Sequence, residues 1–318
     1  MRALILAAGL GTRLRPLTAV CAKGAVPVNG EPLVRRVIRW LVAHGFDDLV
    51  MNVHHHPATI GRVVGDGQDL GARVRYSWEN PVLGSAGGPR HALPLLTDGA
   101  DAGSAHVLIV NGDTLTDLAV GPLVERHRMS GARVTMALIP NPRPEQYGGV
   151  VVEDGWVRGF SRPGARGDSF HFIGAQVAQA SVFAGLPDNT PHESVMGIYP
   201  ELMRTDPHAI AAHAMDASFR DVGTPADYLE TSVALAGVEG DRLVHPHSTI
   251  DPSSIVRRSS VWAHVQIGAG CELEDCIIGE GAVIPPGKRF CRSAVVAYRG
   301  EPLRAGERIE GPLLVREF

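Results

Sequence analysis

No apolar run in this chain of 318 residues approaches the roughly 20 residues that a helix needs to cross a bilayer, so no membrane-spanning segment is expected. Cysteine is scarce. Cys21, Cys271, Cys276 and Cys291 stand without any CxxC pairing, which removes the local spacing of a zinc site and reads as free thiols of a cytoplasmic protein. An excess of positive charge is also lacking. The net charge is -4 and the pI is near 6.4, so no basic field is available for duplex nucleic acid or an anionic membrane. Any phosphate ligand must then be held by local charge. The first residues form an apolar strand directly after Met1, which is not the pattern of a signal peptide. What is present is 44% hydrophobic with a mean hydropathy near zero. That describes a globular chain long enough for one large domain or two smaller ones.

The most informative stretch comes first. Ala3–Ala8 is a short apolar run and reads as a buried strand. It breaks into Gly9-Leu10-Gly11-Thr12-Arg13, and Lys23 follows. Gly9 and Gly11 let the backbone turn sharply and approach a ligand with no Cβ in the way. Successive free N–H groups in such a loop make an anion-binding concavity, and Arg13 and Lys23 add fixed positive charge. A polyphosphate is the most economical ligand. The dinucleotide fingerprint is missing, because it needs a third glycine and an immediate helix. Leu14 stands at the third-glycine position, and Pro16, Thr18 and Gly24 keep the chain irregular until about Glu31.

Residues 1–236 alternate apolar strands with amphipathic helices, which predicts an α/β domain with a largely parallel, Rossmann-like sheet. A helix is expected over Glu31–His44, stopped by Gly45. Strands are expected at Leu49–Val53, Arg73–Tyr76, His106–Val110 and Val134–Ile139, with a helix at Val120–Ser130. Thr224–Leu235 reads as a helix entered through Pro225. Residues 237–318 change character. Ile255, Val261, Ile267 and Leu273 are spaced by six, Ile277 and Val283 continue after a break, and Gly268, Gly270, Gly279 and Gly281 stand between them. That is a hexapeptide pattern and predicts a short parallel β-helix of about three coils, which leans on the preceding domain or on another subunit.

Two carboxylates stand out. Asp113 follows the strand His106–Val110 in Val110-Asn111-Gly112-Asp113-Thr114, and a carboxylate just past the C-terminal end of a strand lies at the ligand-binding edge of an open α/β sheet. Asp221 opens Asp221-Val222-Gly223-Thr224-Pro225. Taken alone, Asp113 reads as an Asx turn and Asp221 as a helix-entry carboxylate. The triplet His54-His55-His56 reads as a solvated loop, because adjacent side chains on an extended chain alternate sides and do not converge on one ion.

The string LAAGLGTRLRPLT, with Lys23 and then Val26-Pro27-Val28, resembles the sugar-1-phosphate nucleotidyltransferases, which make nucleoside-diphosphate sugars. The resemblance implies a nucleotide cradle at Ala8, Gly9, Leu10, Gly11 and Thr12, with Arg13, Lys23 and Asp113 as catalytic groups. Asp113 and Asp221 match the family's metal-binding aspartates in order and context, with Mg²⁺ as the ion. Glu79 and Leu83-Gly84-Ser85-Ala86-Gly87-Gly88-Pro89 resemble the loop against the nucleobase, so Glu79, Gly84, Gly87, Asn111 and Gly112 are expected at the nucleotide. Tyr147-Gly148-Gly149 is similar to the family's turn near the sugar, Phe172-Ile173-Gly174 to the segment whose glycine abuts it, and Arg162 stands where relatives carry a lysine for the sugar phosphate. The sequence departs from the family at Ser161, where a glutamate is common, and at Ala22, where proline usually precedes the lysine. A transferase domain followed by a short left-handed β-helix looks most like mannose-1-phosphate guanylyltransferases, with GTP as the favoured triphosphate. Uridylyl and thymidylyl transfer to another sugar 1-phosphate remains the alternative, beside a non-catalytic subunit that binds a nucleotide sugar. A homo-oligomer is expected from the apolar faces of the β-helix.

Overall fold

The apolar run that opens the chain forms β1 (Arg2–Leu6), whose Ala3, Leu4 and Ile5 are fully buried. A strand with no polar alternation is one covered on both faces. This computed structural model describes residues 1–99, 101–165, 167 and 169–318. They fall into two units. The first takes Met1–Gly9, Val34–Pro57 and Val64–Arg220, and the second takes Leu10–Leu33, Ala58–Val63 and Asp221–Phe318.

The first unit is built on a nine-stranded sheet. Its further strands are β2 (Asp48–Val53), β3 (Arg73–Trp78), β4 (His106–Asn111), β5 (Val134–Pro140), β6 (Gly149–Glu153), β7 (Trp156–Ser161), β8 (Phe170–Gln179) and β9 (Ile210–Ala214). Their order is β3-β2-β1-β4-β8-β5-β9-β7-β6. The four strands β1 to β4 are parallel, and so are β5 and β9. However, β8 is antiparallel to both β4 and β5, and β7 is antiparallel to both β9 and β6. The expected mostly parallel sheet is therefore corrected to a mixed one. Turn chemistry is part of the reason. Asp154 and Gly155, both at positive φ, close a two-residue hairpin between β6 and β7, and such a link forces antiparallel neighbours.

The chain lays β2 and β3 on one side of β1 and β4 on the other. Open α/β sheets bind ligands outside the carboxyl ends of strands at such a switch point. Ala7–Gly9 and Gly112-Asp113 lie there. The helix Gly84–Thr97 packs on β1 and β2, and Leu4, Val50, Leu93, Leu96, Ile109 and Met136 share one buried core. The helix expected over Glu31–His44 is Leu33–Ala43, because Glu31–Pro32 pairs with Pro27–Val28 instead.

The second unit carries three short helical turns, Thr12–Leu14, Leu17–Val20 and Lys23–Ala25, where irregular chain was expected. Its C-terminal part contains three sheets built on short parallel ladders, the third of which ends in the antiparallel strands Leu313–Glu317 and Glu307–Glu310. One joins Thr249–Ile250, Gln266–Ile267 and Val283–Ile284, a second joins Ile255–Arg257, Glu272–Glu274 and Arg289–Cys291, and a third begins with Ser260–Val261, Ile277–Ile278 and Ser293–Ala297. Ladder partners lie 17 residues apart, Thr249 opposite Gln266 and Gln266 opposite Val283. The buried positions Val261, Ile267, Leu273, Ile278, Ile284, Phe290 and Val295 thus advance by six, six and five. The break after Leu273 is the short step of the repeat, not an interruption. It also shifts the inward set by one residue, so that Ile255 and Val283, both named in the series spaced by six, are exposed. All four cysteines are free. No helix among the described residues is long and apolar enough to cross a membrane.

Candidate functional site

In the first unit, a chain of buried hydrogen bonds ties the ends of β1 and β2 to the loop that precedes the helix Gly84–Thr97. The Ala7 N–H donates to Asn52 Oδ1 at 2.6 Å, Asn52 Nδ2 donates to Glu79 Oε1 at 2.6 Å, and the Leu83 N–H donates to Glu79 Oε2 at 2.8 Å. Glu79 is 0% exposed, and both its oxygens accept from the protein. It braces the loop. Asn52 was missed in the sequence, although a lone amide in the apolar run Leu49–Val53 is a signal, because a buried polar side chain must find partners.

The glycines expected at the nucleobase are fixed by close approaches. Gly84 has φ +75, and a Cβ there would stand 2.7 Å from His192 O. A Cβ on Gly87 would stand 2.5 Å from Thr190 O, and one on Gly88 would stand 2.7 Å from both Asn52 Nδ2 and Glu79 Oε1. The helix begins at Gly84, and Pro89 lies inside it. His192 and Glu193 satisfy the first N–H groups of this helix. Ala86 N and Gly87 N donate to His192 O, the Ser85 N–H donates to Glu193 Oε2 at 3.4 Å, and Ser85 Oγ donates to the same oxygen at 2.6 Å. No sequence signal pointed to either residue.

Asn111 ends β4, and the Gly112 N–H donates to Leu6 O at 2.9 Å, which sets half-buried Asp113 beside the end of β1. Gly174 has φ +77, and a Cβ there would stand 2.5 Å from Asn111 Nδ2. The register of β8 against β5 shifts between Phe172 and Gln176, so Gly174 sits at a bulge, a feature that re-aims a strand. Asn111, expected at the nucleotide, and Gly174, expected at the sugar, are thereby brought together. The other sugar-side residues also converge. Ser161 pairs opposite Gly149, and a Cβ on Gly148 would stand 3.0 Å from Ser161 O. Tyr147 packs against His171 with tilted rings whose centroids are 4.5 Å apart, and the Phe219 ring centroid lies 4.8 Å from that of His171. Burial pushes the His171 pKa down, against a backbone hydrogen bond with Gly148 that raises it, and its Nδ1 is buried without a hydrogen-bond partner among the described residues. Arg162 is exposed. His171 and Phe219 were not singled out in the sequence.

In the second unit, the glycine loop folds on itself. Gly11 has φ +59 and caps the turn Thr12–Leu14. Thr18 Oγ1 donates to Gly11 O at 2.8 Å, and a Cβ on Gly11 would stand 2.8 Å from Thr18 Cγ2 and 3.3 Å from Lys23 Cβ. This closure brings two cations to one carboxylate. Arg13 Nη2 lies 3.6 Å from Asp221 Oδ2, and Lys23 Nζ lies 3.6 Å from Asp221 Oδ1. The side chain of Arg13 is 65% exposed and that of Lys23 15%, so one cation reaches into solvent and the other is held. A Cβ on Gly223 would stand 2.9 Å from Asp221 Oδ2 and 3.1 Å from Arg13 Nη2. Just beyond, Thr224 and Asp227 form a capping box that starts the helix Pro225–Glu239.

Comparison with known proteins follows the same lines. The family model described as nucleotidyl transferase matches residues 2–237. A mannose-1-phosphate guanylyltransferase of Mycobacterium tuberculosis is 26% identical, covering 90% of this chain and 81% of that protein. A UTP–glucose-1-phosphate uridylyltransferase of Synechocystis is 28% identical, covering 93% of this chain and 81% of that protein. Among solved structures, HddC from Yersinia pseudotuberculosis, complexed with GMP-PN, superposes with a TM-score of 0.63 at 20% identity, over 74% of this chain and 99% of that one. That likeness bears on the fold alone.

Proposed function

We infer the function from one premise: this chain belongs to the nucleotidyl transferase family. It is a sugar-1-phosphate nucleotidyltransferase, a transferase. The observation that most supports a triphosphate cradle is the approach of both Arg13 and Lys23 to Asp221 at 3.6 Å, on a loop closed by Gly11.

A sugar 1-phosphate is already an ionised nucleophile at neutral pH, so positioning and charge carry the reaction. Its phosphate oxygen bonds in line to the α-phosphorus, the bond from that phosphorus to the β-bridging oxygen breaks, and pyrophosphate leaves with the electron pair. We assign Arg13 and the N–H groups around Leu10, Gly11 and Thr12 to the departing phosphates. Lys23 steadies the α-phosphoryl group. Ala8, Gly9, Gly84, Gly87, Asn111 and Gly112 are assigned to the nucleotide, with Glu79 acting at one remove through Asn52 and Leu83. Tyr147, Gly148, Gly149, Arg162 and Gly174 are assigned to the sugar phosphate.

Members of this family generally use divalent metal ions. Among the described residues no group of three or more His, Cys, Asp or Glu is placed to hold one. One or two hard carboxylates, completed by water and substrate phosphate, are what Mg²⁺ takes, so the residues present fit that ion. Asp113 and Asp221 would hold it, and it would neutralise charge on the transferring phosphate.

For the finer substrates we propose GTP and mannose 1-phosphate. The guanylyltransferase relative supports this, and the uridylyltransferase relative supports UTP with another sugar 1-phosphate as the alternative. We further propose that residues 1–236 carry the transferase, that residues 237–318 form a left-handed β-helix used in self-association, and that the enzyme is cytoplasmic. Substitution tests the assignment of roles. Asp113→Ala is expected to abolish pyrophosphate release while circular dichroism and melting stay those of the parent. Normal turnover in that variant would remove Asp113 from the mechanism.

A further inference from the structure

A cavity of about 280 Å³ lies in the second unit, with every lining residue drawn from that unit, and the transfer reaction gives it no task. Its deep wall is apolar: Cys21, Ala25, Val261 and Trp262 are each no more than 8% exposed. The polar groups of that wall are already engaged. The Trp262 indole N–H donates to Tyr228 Oη at 2.8 Å, and Tyr228 Oη lies 2.8 Å from Ser260 Oγ and donates to Pro27 O. This network fixes the indole ring. The charged lining groups left to recognise a ligand are Arg62, Arg242 and Glu280, beside the imidazole of His245.

Two observations set the charge of the occupant. Arg242 is bonded to Asn29 Oδ1 through its backbone N–H at 3.0 Å, and its exposed guanidinium has no carboxylate partner among the described residues. Arg62 meets Glu280 only at 3.5 Å, with side chains 61% and 44% exposed. A pair that long and that wet is weak, so an incoming anion takes Arg62 from Glu280 at little cost. An apolar slot with an immobilised indole suits a flat ring, and guanidinium groups at the exposed side suit a phosphate, which they bind in a fork. We propose that this cavity binds a nucleoside phosphate, with the base in the slot beside Trp262 and the phosphate between Arg62 and Arg242.

The placement gives such a ligand a lever on the reaction. Cys21 and Ala25 line the cavity, and Lys23, whose Nζ lies 3.6 Å from Asp221 Oδ1, stands between them in the chain. The Ala22 N–H donates to Thr59 Oγ1 at 2.9 Å, which ties the same turn to the helix Pro57–Val64 that carries Arg62. A ligand that draws on Arg62 therefore shifts the turn of Lys23. This coupling rests on the role proposed above for Lys23, whereas binding does not.

The test is isothermal titration of GMP, without Mg²⁺, into the full chain and into two variants. Ala263→Trp fills the cavity from its lining, and Arg242→Glu reverses the charge that holds the phosphate. Two GMP sites are expected in the parent and one in each variant. Arg242 is an exposed side chain, so Arg242→Glu is expected to melt as the parent does even where the bulkier Ala263→Trp fails to fold. GMP binding that folded Arg242→Glu retains in full, whether at one site or at two, overturns the proposal. At saturating triphosphate and sugar phosphate, GMP is expected to change kcat in the parent and not in Arg242→Glu. The same response in both would overturn the coupling. Failure of the transferase reading looks different: no pyrophosphate is released, yet Arg242→Glu still loses one GMP site.

Discussion

Acid is expected to destabilise the first unit through one buried imidazole. His127 is 1% exposed and lies in the last turn of the helix Val120–Ser130. Its Nε2 is 2.8 Å from His106 Nδ1, and its Nδ1 is 2.9 Å from Thr135 Oγ1. Burial pushes its pKa from 6.5 down to about 4, and His106 pushes it the same way. A helix C-terminus favours the charged ring, so burial outweighs it here. The folded protein thus keeps the ring neutral to about pH 4, while the unfolded chain takes up the proton near pH 6.5. The contribution is fully present above about pH 6.5 and is lost as pH falls towards 4. At about 1.4 kcal/mol for each pH unit, the window is worth about 3 kcal/mol. Urea denaturation across this range, on the parent and on His127→Gln, reads it directly. The parent is expected to lose about 3 kcal/mol more than the variant between neutral pH and about pH 4. His171, His213 and His245 are also pushed down, each chiefly by burial, but they titrate alike in both proteins and cancel in the difference. Parallel stability curves would show that His127 does not carry the acid sensitivity.

Three substitutions probe the bracing of the two units. Glu79→Ala strands the buried donors of Asn52 and Leu83 and is expected to cost about 3 kcal/mol by chemical denaturation, with a raised KM for the triphosphate. Gly174→Ala puts a Cβ at φ +77 against Asn111. The left-handed backbone alone costs roughly 1–2 kcal/mol, and kcat/KM is expected to fall as Asn111 moves, so parent kinetics would separate Gly174 from the site. Tyr228→Phe leaves the Trp262 indole N–H without its acceptor. A loss of about 1–3 kcal/mol is expected, read by near-ultraviolet circular dichroism on denaturation.

What could be read from the sequence was local chemistry. The buried β1, the turn to Gly11 and the helix Val120–Ser130 each depend on a few neighbouring residues whose apolar pattern or backbone freedom is explicit. So does the helix begun by Thr224, Pro225 and Asp227, although it runs to Glu239, beyond the expected Leu235. Strand direction was less accessible, because it is set by pairing between distant segments. β8 is antiparallel to both neighbours, and only the Asp154-Gly155 turn carried a local hint of a mixed sheet. The C-terminal repeat shows the same limit. Apolar residues stand at both Ile255 and Val256 and at both Val283 and Ile284, so the inward set follows only from the 17-residue ladder. In the candidate site, charged and glycine residues were legible because phosphate chemistry needs them. His192 and Glu193 were not, since their tasks are to satisfy backbone and hydroxyl groups far away in sequence.

The most direct measurement is pyrophosphate release with Mg²⁺, each common nucleoside triphosphate and a panel of sugar 1-phosphates. Release is expected only with both substrates together, fastest with GTP and mannose 1-phosphate, and is lost in Asp221→Ala. No release from any pair, with the protein folded and still binding a nucleotide sugar, would contradict the transferase reading.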